Sequence, residues 1–250
     1  MNGTDVIKKK IYQISAITDR GQRLNKLITP GYEEKLNEMH DLIESLKIYS
    51  SEISEKSLSG EWELIYSNVE LFRSSPFFLS IEKAFNNEFK SNLFFKLHQL
   101  QVGSFGISTI GRIGQMIDFD KKEFISTFDT TIFGLSTIPV LGWFKLLPTF
   151  GGIVITLADN LVLKDKLLKM NLQKTKVSKV EGLNKIPLMS KILMERWFPV
   201  KEVWNKLPWN KDIPSCEITI LFLDEDLRIM QDIYGSIYIY IRPSISLFNI

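Results

Sequence analysis

The residues best equipped for acid–base or metal chemistry are scarce in this chain. His40 and His98 are the two histidines and Cys216 the one cysteine, which leaves zinc sites and Ser-His-Asp triads short of parts. A single cysteine can form no internal disulfide. His98, within Leu97-His98-Gln99, has no partner nearby in sequence and reads as a structural histidine. Cys216 opens an apolar strand and reads as an inert core thiol. Asp118 with Asp120, and Asp224 with Glu225 and Asp226, are paired carboxylates of the kind that glycosidases or magnesium sites use. Both groups fall at strand ends, where aspartate commonly serves the backbone of its own turn. Gly106 and Gly111 have the glycine spacing of a phosphate loop, but Arg112-Ile113 stands where the lysine and the magnesium-binding hydroxyl are needed. There is no G-x-S-x-G elbow. No metal and no cofactor is implied, and the expectation is a protein that is not an enzyme.

What the chain has in quantity is apolar surface. It carries 17 Phe, 5 Trp and 7 Tyr, with 44% hydrophobic and 24% charged residues over 250 positions. That composition is globular, and a chain this long buries roughly three quarters of its unfolded surface without staples. The balance points to holding an apolar molecule. The formal net charge of +2 is a cancellation. Residues 161–211 hold eleven lysines and Arg196 against Asp165, Glu181, Glu195 and Glu202, a surplus of eight positive charges. The remaining residues carry a deficit of six. Trp197, Phe198, Trp204 and Trp209 lie in that basic segment. Cations beside large aromatics fit an anionic membrane or lipid-body surface; a solvated set of strand faces and loops is the alternative. Nucleic acid is not expected, because these aromatics cluster with Pro, Val and Leu and make no stacking ladder.

No apolar segment of the secretory type follows Lys8, Lys9 and Lys10, so no targeting peptide is expected. The most apolar stretch, 132–157, is broken by Pro139, Lys145, Pro148 and four glycines. A spanning helix needs about 20 continuous apolar residues, so this stretch is a candidate for dipping into an interface.

The elements that must position these residues change period near residue 58. Before it, Ile7, Ile11, Ile14 and Ile17, then Tyr32, Leu36, Met39, Ile43 and Leu46, recur at helical spacing. Thr18-Asp19-Arg20-Gly21 separates the two helices. After it, alternation predicts strands at 58–66, 114–119, 123–131, 151–158, 167–180, 217–223, 227–231 and 236–242. A short helix over 76–89 is predicted to bury Phe77, Phe78, Ile81 and Phe85. Residues 183–209 read as a long irregular insertion with one short helix near 189–197. The expected fold is mainly β with N-terminal helices. A helical segment, 1–57, packs on a closed or nearly closed antiparallel barrel, 58–250, with helices at one end and a basic insertion at about 183–211 between late strands.

Gly60-x-Trp62 at the start of the first strand is how lipocalin-type barrels begin: the indole plugs the narrow end and glycine admits the chain closely. The wider pattern resembles the plastid lipid-associated protein family, also called PAP or plastid fibrillins. The matching residues run from Thr18-Asp19-Arg20-Gly21 through Gly60-Glu61-Trp62-Glu63-Leu64-Ile65-Tyr66 and Gly114-Gln115-x-x-Asp118-Phe119. They continue in Gly142-Trp143-Phe144-Lys145-Leu146-Leu147-Pro148 and Leu223-Asp224-Glu225-Asp226-Leu227-Arg228-Ile229, followed by Gly235. Two features depart from the family. Gln231-Asp232-Ile233-Tyr234-Gly235 stands where an Arg-Gly-Asp-Gly-Gly type turn is frequent, and the basic insertion is not found in every member. The resemblance implies a lipocalin-like barrel in plastids, associated with thylakoids or plastoglobules, that binds isoprenoids, quinones, carotenoids or fatty acyl lipids. It also implies an Arg228–Trp62 cation–π contact closing the barrel floor.

By alternation, Trp62, Tyr66, Phe128 and Phe222 are candidate lining residues, joined by Arg228. Trp197, Phe198, Trp204 and Trp209 are candidate membrane contacts. Two rival readings stand beside this one. An enzyme or chromophore handler on the same barrel needs polar groups converging inside, with Gln115, Asp129 and His98 the nearest candidates. A scaffold needs only a filled barrel.

Overall fold

The computed structural model describes residues 3–22, 29–85, 87–104, 107–133, 135–137, 144–146, 150–181, 197, 199–204 and 214–248. Helix α1 (Gly3–Ile17) buries Ile11 and Ile14, and α2 (Tyr32–Lys47) buries Tyr32, Met39, Ile43 and Leu46. Ile17, expected on the α1 stripe, is 53% exposed. At 3.6 residues per turn the stripe passes through position 18 instead. Thr18 is fully buried there, its hydroxyl donating to the Ile14 carbonyl at 2.7 Å.

The turn after α1 fastens this helical layer to the sheet. Asp19, Arg20 and Gly21 all have positive φ, and a Cβ on Gly21 would sit 2.3 Å from the Ser67 carbonyl oxygen. Only glycine tolerates both the left-handed backbone and that approach. Arg20 donates to the carbonyls of Ile110 and Gly111 at 2.6 Å each, and its own carbonyl accepts from Ser67 N–H.

A single helical turn, α3 (Glu55–Leu58), capped reciprocally by Ser54 and Ser57, leads into β1 (Gly60–Ser67). A 3₁₀ turn (Leu71–Ser74), α4 (Pro76–Phe85) and α5 (Glu88–Ser104) precede β2 (Ile107–Asp118) and β3 (Glu123–Phe133). A small two-stranded sheet, β4 (Leu135–Thr137) with β5 (Phe144–Leu146), intervenes before β6 (Phe150–Lys164) and β7 (Leu167–Glu181). Helix α6 (Val200–Trp204), then β8 (Ser215–Leu223), β9 (Leu227–Gln231) and β10 (Ile237–Ile241) complete the described chain.

Eight of these strands close into a barrel in the order β1-β10-β9-β8-β7-β6-β3-β2, every pair antiparallel. Each strand pairs with the next barrel strand in the chain, and β10 returns to β1, so no sheet edge is left exposed by the ring. This up-and-down order sorts the connections by rim. The hairpin turns 119–122, 165–166 and 224–226 lie at one rim, where the chain also enters β1. The connections 68–106, 134–149 and 182–214 all begin and end at the other.

Two apolar clusters lie on the two faces of the barrel wall. The inner one gathers Trp62, Leu64, Ile113, Ile117, Phe124, Phe128, Leu168, Met170, Ile218, Ile220, Met230, Tyr238 and Tyr240, with Leu71 and Leu79 from the segment after β1. The outer one places Ile11, Ile14, Met39, Ile43 and Leu46 against Tyr66, Phe222, Leu227, Ile229 and Ile239. The N-terminal helices thus cover the barrel's side, over β1, β10, β9 and β8, and not one end as expected. It is α4 that stands at a rim.

Candidate functional site

Near the hairpin rim a layered stack crosses the barrel. The Arg242 guanidinium lies 3.7 Å from the Trp62 ring centroid, Arg228 lies 4.7 Å from the same ring, and Arg228 is 4.4 Å from Tyr240. Trp62 is fully buried and its Nε1 donates to the Leu58 carbonyl at 2.8 Å. Gly60 serves this stack directly. Its φ is +101°, and a Cβ there would come within 2.8 Å of Arg242 Nη1. The glycine therefore makes room for the outer arginine, which donates to the carbonyls of Ser57 and Glu61. The Arg228–Trp62 contact, expected from the resemblance, is present.

Arg228 is also fully buried. Burial pushes its guanidinium down to about 9, still well above neutrality, so it is a cation at pH 7. Its Nη2 donates to Gln115 Oε1 at 2.5 Å, and Gln115 Nε2 donates to the Tyr240 hydroxyl at 2.7 Å. Gln115, named from sequence as a group that could converge inside, does so. Asp129 does not: it follows inward Phe128 on β3 and stands on the other face, beside Gly111. The His98 side chain lies outside the described residues.

The opposite mouth is filled by the segment after β1. Leu71 and Leu79 enter the inner cluster, Gln115 Nε2 reaches the Ser74 carbonyl at 3.4 Å, and the hydroxyls of Ser75 and Thr156 lie 3.4 Å apart. Helix α4 turns Leu79, Ser80 and Glu82 into the buried interior. Phe77, Phe78, Ile81 and Phe85, expected to be its buried face, are only half-buried. They lose that place because α4 is covered on two sides. Phe78 packs near Phe72 and Phe95, with centroids 4.7 and 6.1 Å away, and Phe85 lies 5.4 Å from Phe94 on α5. Aromatic pairing holds the two helices together, and the polar side of α4 is left to meet the barrel.

That polar side completes a charged cluster foreign to the sequence reading. Arg73 Nη2 donates to Glu82 Oε1 at 2.5 Å, Arg73 Nη1 lies 3.6 Å from Glu70, and the guanidinium stands 4.2 Å from the Phe95 ring centroid. Asp232 accepts from the backbone N–H of Tyr234 and of Ser236, and its other oxygen accepts from the Tyr238 hydroxyl at 3.0 Å. Burial, reinforced by the neighbouring Asp232 and opposed by Arg73, raises Glu82 to about 7. The same burial, with Asp232 and Glu82 beside it, raises Tyr238 well above its ordinary value. Outside this cluster a polar cleft of about 690 Å³ is lined by Glu70, Arg73, Phe95, Lys96, Tyr234 and Ser236, among others.

Of the four lining residues taken from alternation, Trp62 and Phe128 belong to the inner cluster; Tyr66 and Phe222 belong to the outer one, beneath α1 and α2. The reason is local. The register of β1 against β10 shifts between Leu64 and Tyr66, and that of β8 against β9 shifts between Ile220 and Phe222. One extra residue exchanges the two faces of a strand from that point on. Trp197 is 38% exposed, with Lys174 and Lys176 ammonium groups 4.5 and 4.9 Å from its ring centroid. Phe198 and Trp209 lie outside the described residues, as do residues 189–196 of the helix expected near 189–197, and Trp204 ends α6 with its side chain undescribed.

The paired carboxylates are turn residues. Asp118 accepts from Lys121 N–H, and Asp224 accepts from the N–H groups of Asp226 and Leu227 while pairing with Lys8. Cys216 is fully buried and pushed up to about 12 by that burial. Among the described residues no three metal-ligating side chains converge. No family model, no curated protein and no solved structure matches this chain.

Proposed function

We propose that the chain is a non-enzymatic binding protein of the lipocalin-like, plastid lipid-associated type, holding one small hydrophobic molecule in its barrel. Isoprenoids, quinones, carotenoids and fatty acyl lipids are the candidate class. The observation that carries this reading is the asymmetry of the barrel's two ends. One is sealed by the Arg242–Trp62–Arg228 stack. The other is occupied by a segment whose polar contacts to Gln115 and Thr156 are as long as 3.4 Å. A barrel of about eight strands holds either side chains or one small ligand, and a ligand entering among Ile110, Phe128 and Val154 of the inner wall would displace this segment, Leu71 and Leu79 included. Trp62, Phe128 and Arg228 are the lining residues retained. Trp197 over Lys174 and Lys176 supports peripheral contact with an anionic thylakoid or plastoglobule surface. Organic extraction of the purified protein followed by mass spectrometry is the test. A lipid recovered in near-stoichiometric amount supports the reading; none, from protein isolated out of a lipid-rich source, overturns it.

A second reading, an enzyme or chromophore handler on this barrel, is favoured by the Arg73–Glu82–Asp232–Tyr238 cluster. A carboxyl group titrating near neutrality beside a cleft is suited to moving a proton. Incubation of the protein with candidate lipids or tetrapyrroles separates the two. Conversion that is lost in Glu82→Gln would establish chemistry, and unchanged ligand would remove it.

A further inference from the structure

Among the described residues, Arg228 is a cation without a counter-ion. It is fully buried, and no carboxylate among the described residues comes within salt-bridge distance of it. The other charged group that bears on it is Arg242, of the same sign. Taking an unpaired charge out of water is costly, and proteins ordinarily compensate it with a partner and with hydrogen bonds to every donor. Here Nη2 reaches Gln115, while Nε and Nη1 have no acceptor among the described residues. The rings of Trp62 and Tyr240 attract the cation, but a ring quadrupole does not neutralise a charge.

A third orphan lies close by. Ser126 pairs with Gln115 across β3 and β2, is inward and buried like it, and its hydroxyl has no partner among the described residues. Arg228 Nε and Nη1 and the Ser126 hydroxyl therefore flank the Gln115 amide, deep in the barrel. The guanidinium N–H groups donate in its own plane, so an acceptor meets it edge-on. A planar anion with two oxygens meets that requirement. Beyond this polar layer the inner wall turns apolar again through Ile113, Phe128 and Val154, toward the rim with the long connections.

We propose that the barrel's ligand is an acidic lipid whose carboxylate pairs with Arg228, with Ser126 as a further donor and its tail directed toward the Leu71–Ser74 turn. This inference rests on the apolar-ligand reading above and names the head group that reading leaves open. Binding forms no covalent bond; the anion supplies the charge and the acceptors that Arg228 lacks.

The test uses an anthroyloxy-labelled stearic acid and its methyl ester, which share one tail and differ in charge. The full chain is expected to bind the acid at least ~10-fold more tightly than the ester, the scale of one charge-assisted pair. Arg228→Gln should abolish that preference, so that within this variant acid and ester bind alike. Ser126→Ala removes an unpartnered hydroxyl, so it preserves the fold, and should weaken the acid alone by about three- to tenfold. Equal binding of acid and ester by the wild-type chain overturns the head-group assignment while keeping the apolar-ligand reading. A preference that survives Arg228→Gln overturns it too. Failure of both probes to bind overturns both.

Discussion

Glu82 gives the sharpest energetic expectation. Its carboxyl is 1% exposed and is raised from an ordinary 4.5 to about 7. Between those two values the folded chain holds a proton that the unfolded chain has released. The stability contributed by this group is therefore fully present below pH 4.5 and is lost as pH rises through about 7. A gap of that size corresponds to roughly 3 kcal/mol. Replacing Glu82 with Gln keeps the shape and fixes the neutral state at every pH. Urea unfolding followed by tryptophan fluorescence at pH 5, 6, 7 and 8 should show the wild type losing stability relative to Glu82→Gln as pH rises. The difference between the two chains isolates this group, because they differ at this side chain alone. If the difference is flat, or moves in the opposite direction, the carboxyl is not held neutral by burial, and the opposing attraction of Arg73 dominates the site.

Three further outcomes follow from single contacts. Gly21→Ala should destabilise the chain by at least ~2 kcal/mol in the same urea assay, since its φ is +80° and the new Cβ would meet the Ser67 carbonyl at 2.3 Å. Cys216, buried and pushed up to about 12, should react with a thiol reagent in urea and not in native buffer; rapid native labelling would contradict its burial. Co-sedimentation with anionic liposomes should weaken in Trp197→Ala and in Lys174→Gln with Lys176→Gln, and should fall with added salt; sedimentation indifferent to all three would remove the proposed surface contact.

Much of the barrel is legible in the sequence because a closed antiparallel wall imposes a strict period of two. Alternation over 123–131 and 217–223 marks β3 and β8, and the triple Ile237, Ile239 and Ile241 marks β10. What alternation gets wrong is confined to places where the period slips. Tyr66 and Phe222 each follow a register shift, and a bulge leaves no signature in residue type that distinguishes it from an unbroken strand. Ile17 failed for the matching reason on a helix: spacings of four and three drift off a 3.6-residue period by the fourth member. On α4, hydrophobicity alone misleads, because the helix sits between two partners and its aromatic side belongs to α5.

The charged groups were illegible for a different reason. Arg73, Glu82, Asp232 and Tyr238 come from the 3₁₀ turn, α4 and the β9–β10 turn with its following strand, and they meet only because the barrel closes and α4 fills its mouth. Nothing local marks an acid on an aromatic-rich helix as buried. Arg228 lies in a motif legible from sequence, yet its charge balance does not: that depends on what faces it across the barrel. Its neighbours there are Gln115, Trp62 and Tyr240, all uncharged. A barrel that needed only to be filled would fare better with a leucine at this position, because a well-packed apolar side chain avoids the desolvation of an unpaired cation. The described interior is therefore apolar, with a polar, positively charged layer near the hairpin rim and a second polar cluster at the opposite mouth. Under the proposal above, the molecule matched to it is amphiphilic, apolar along most of its length and acidic at the end that reaches Arg228.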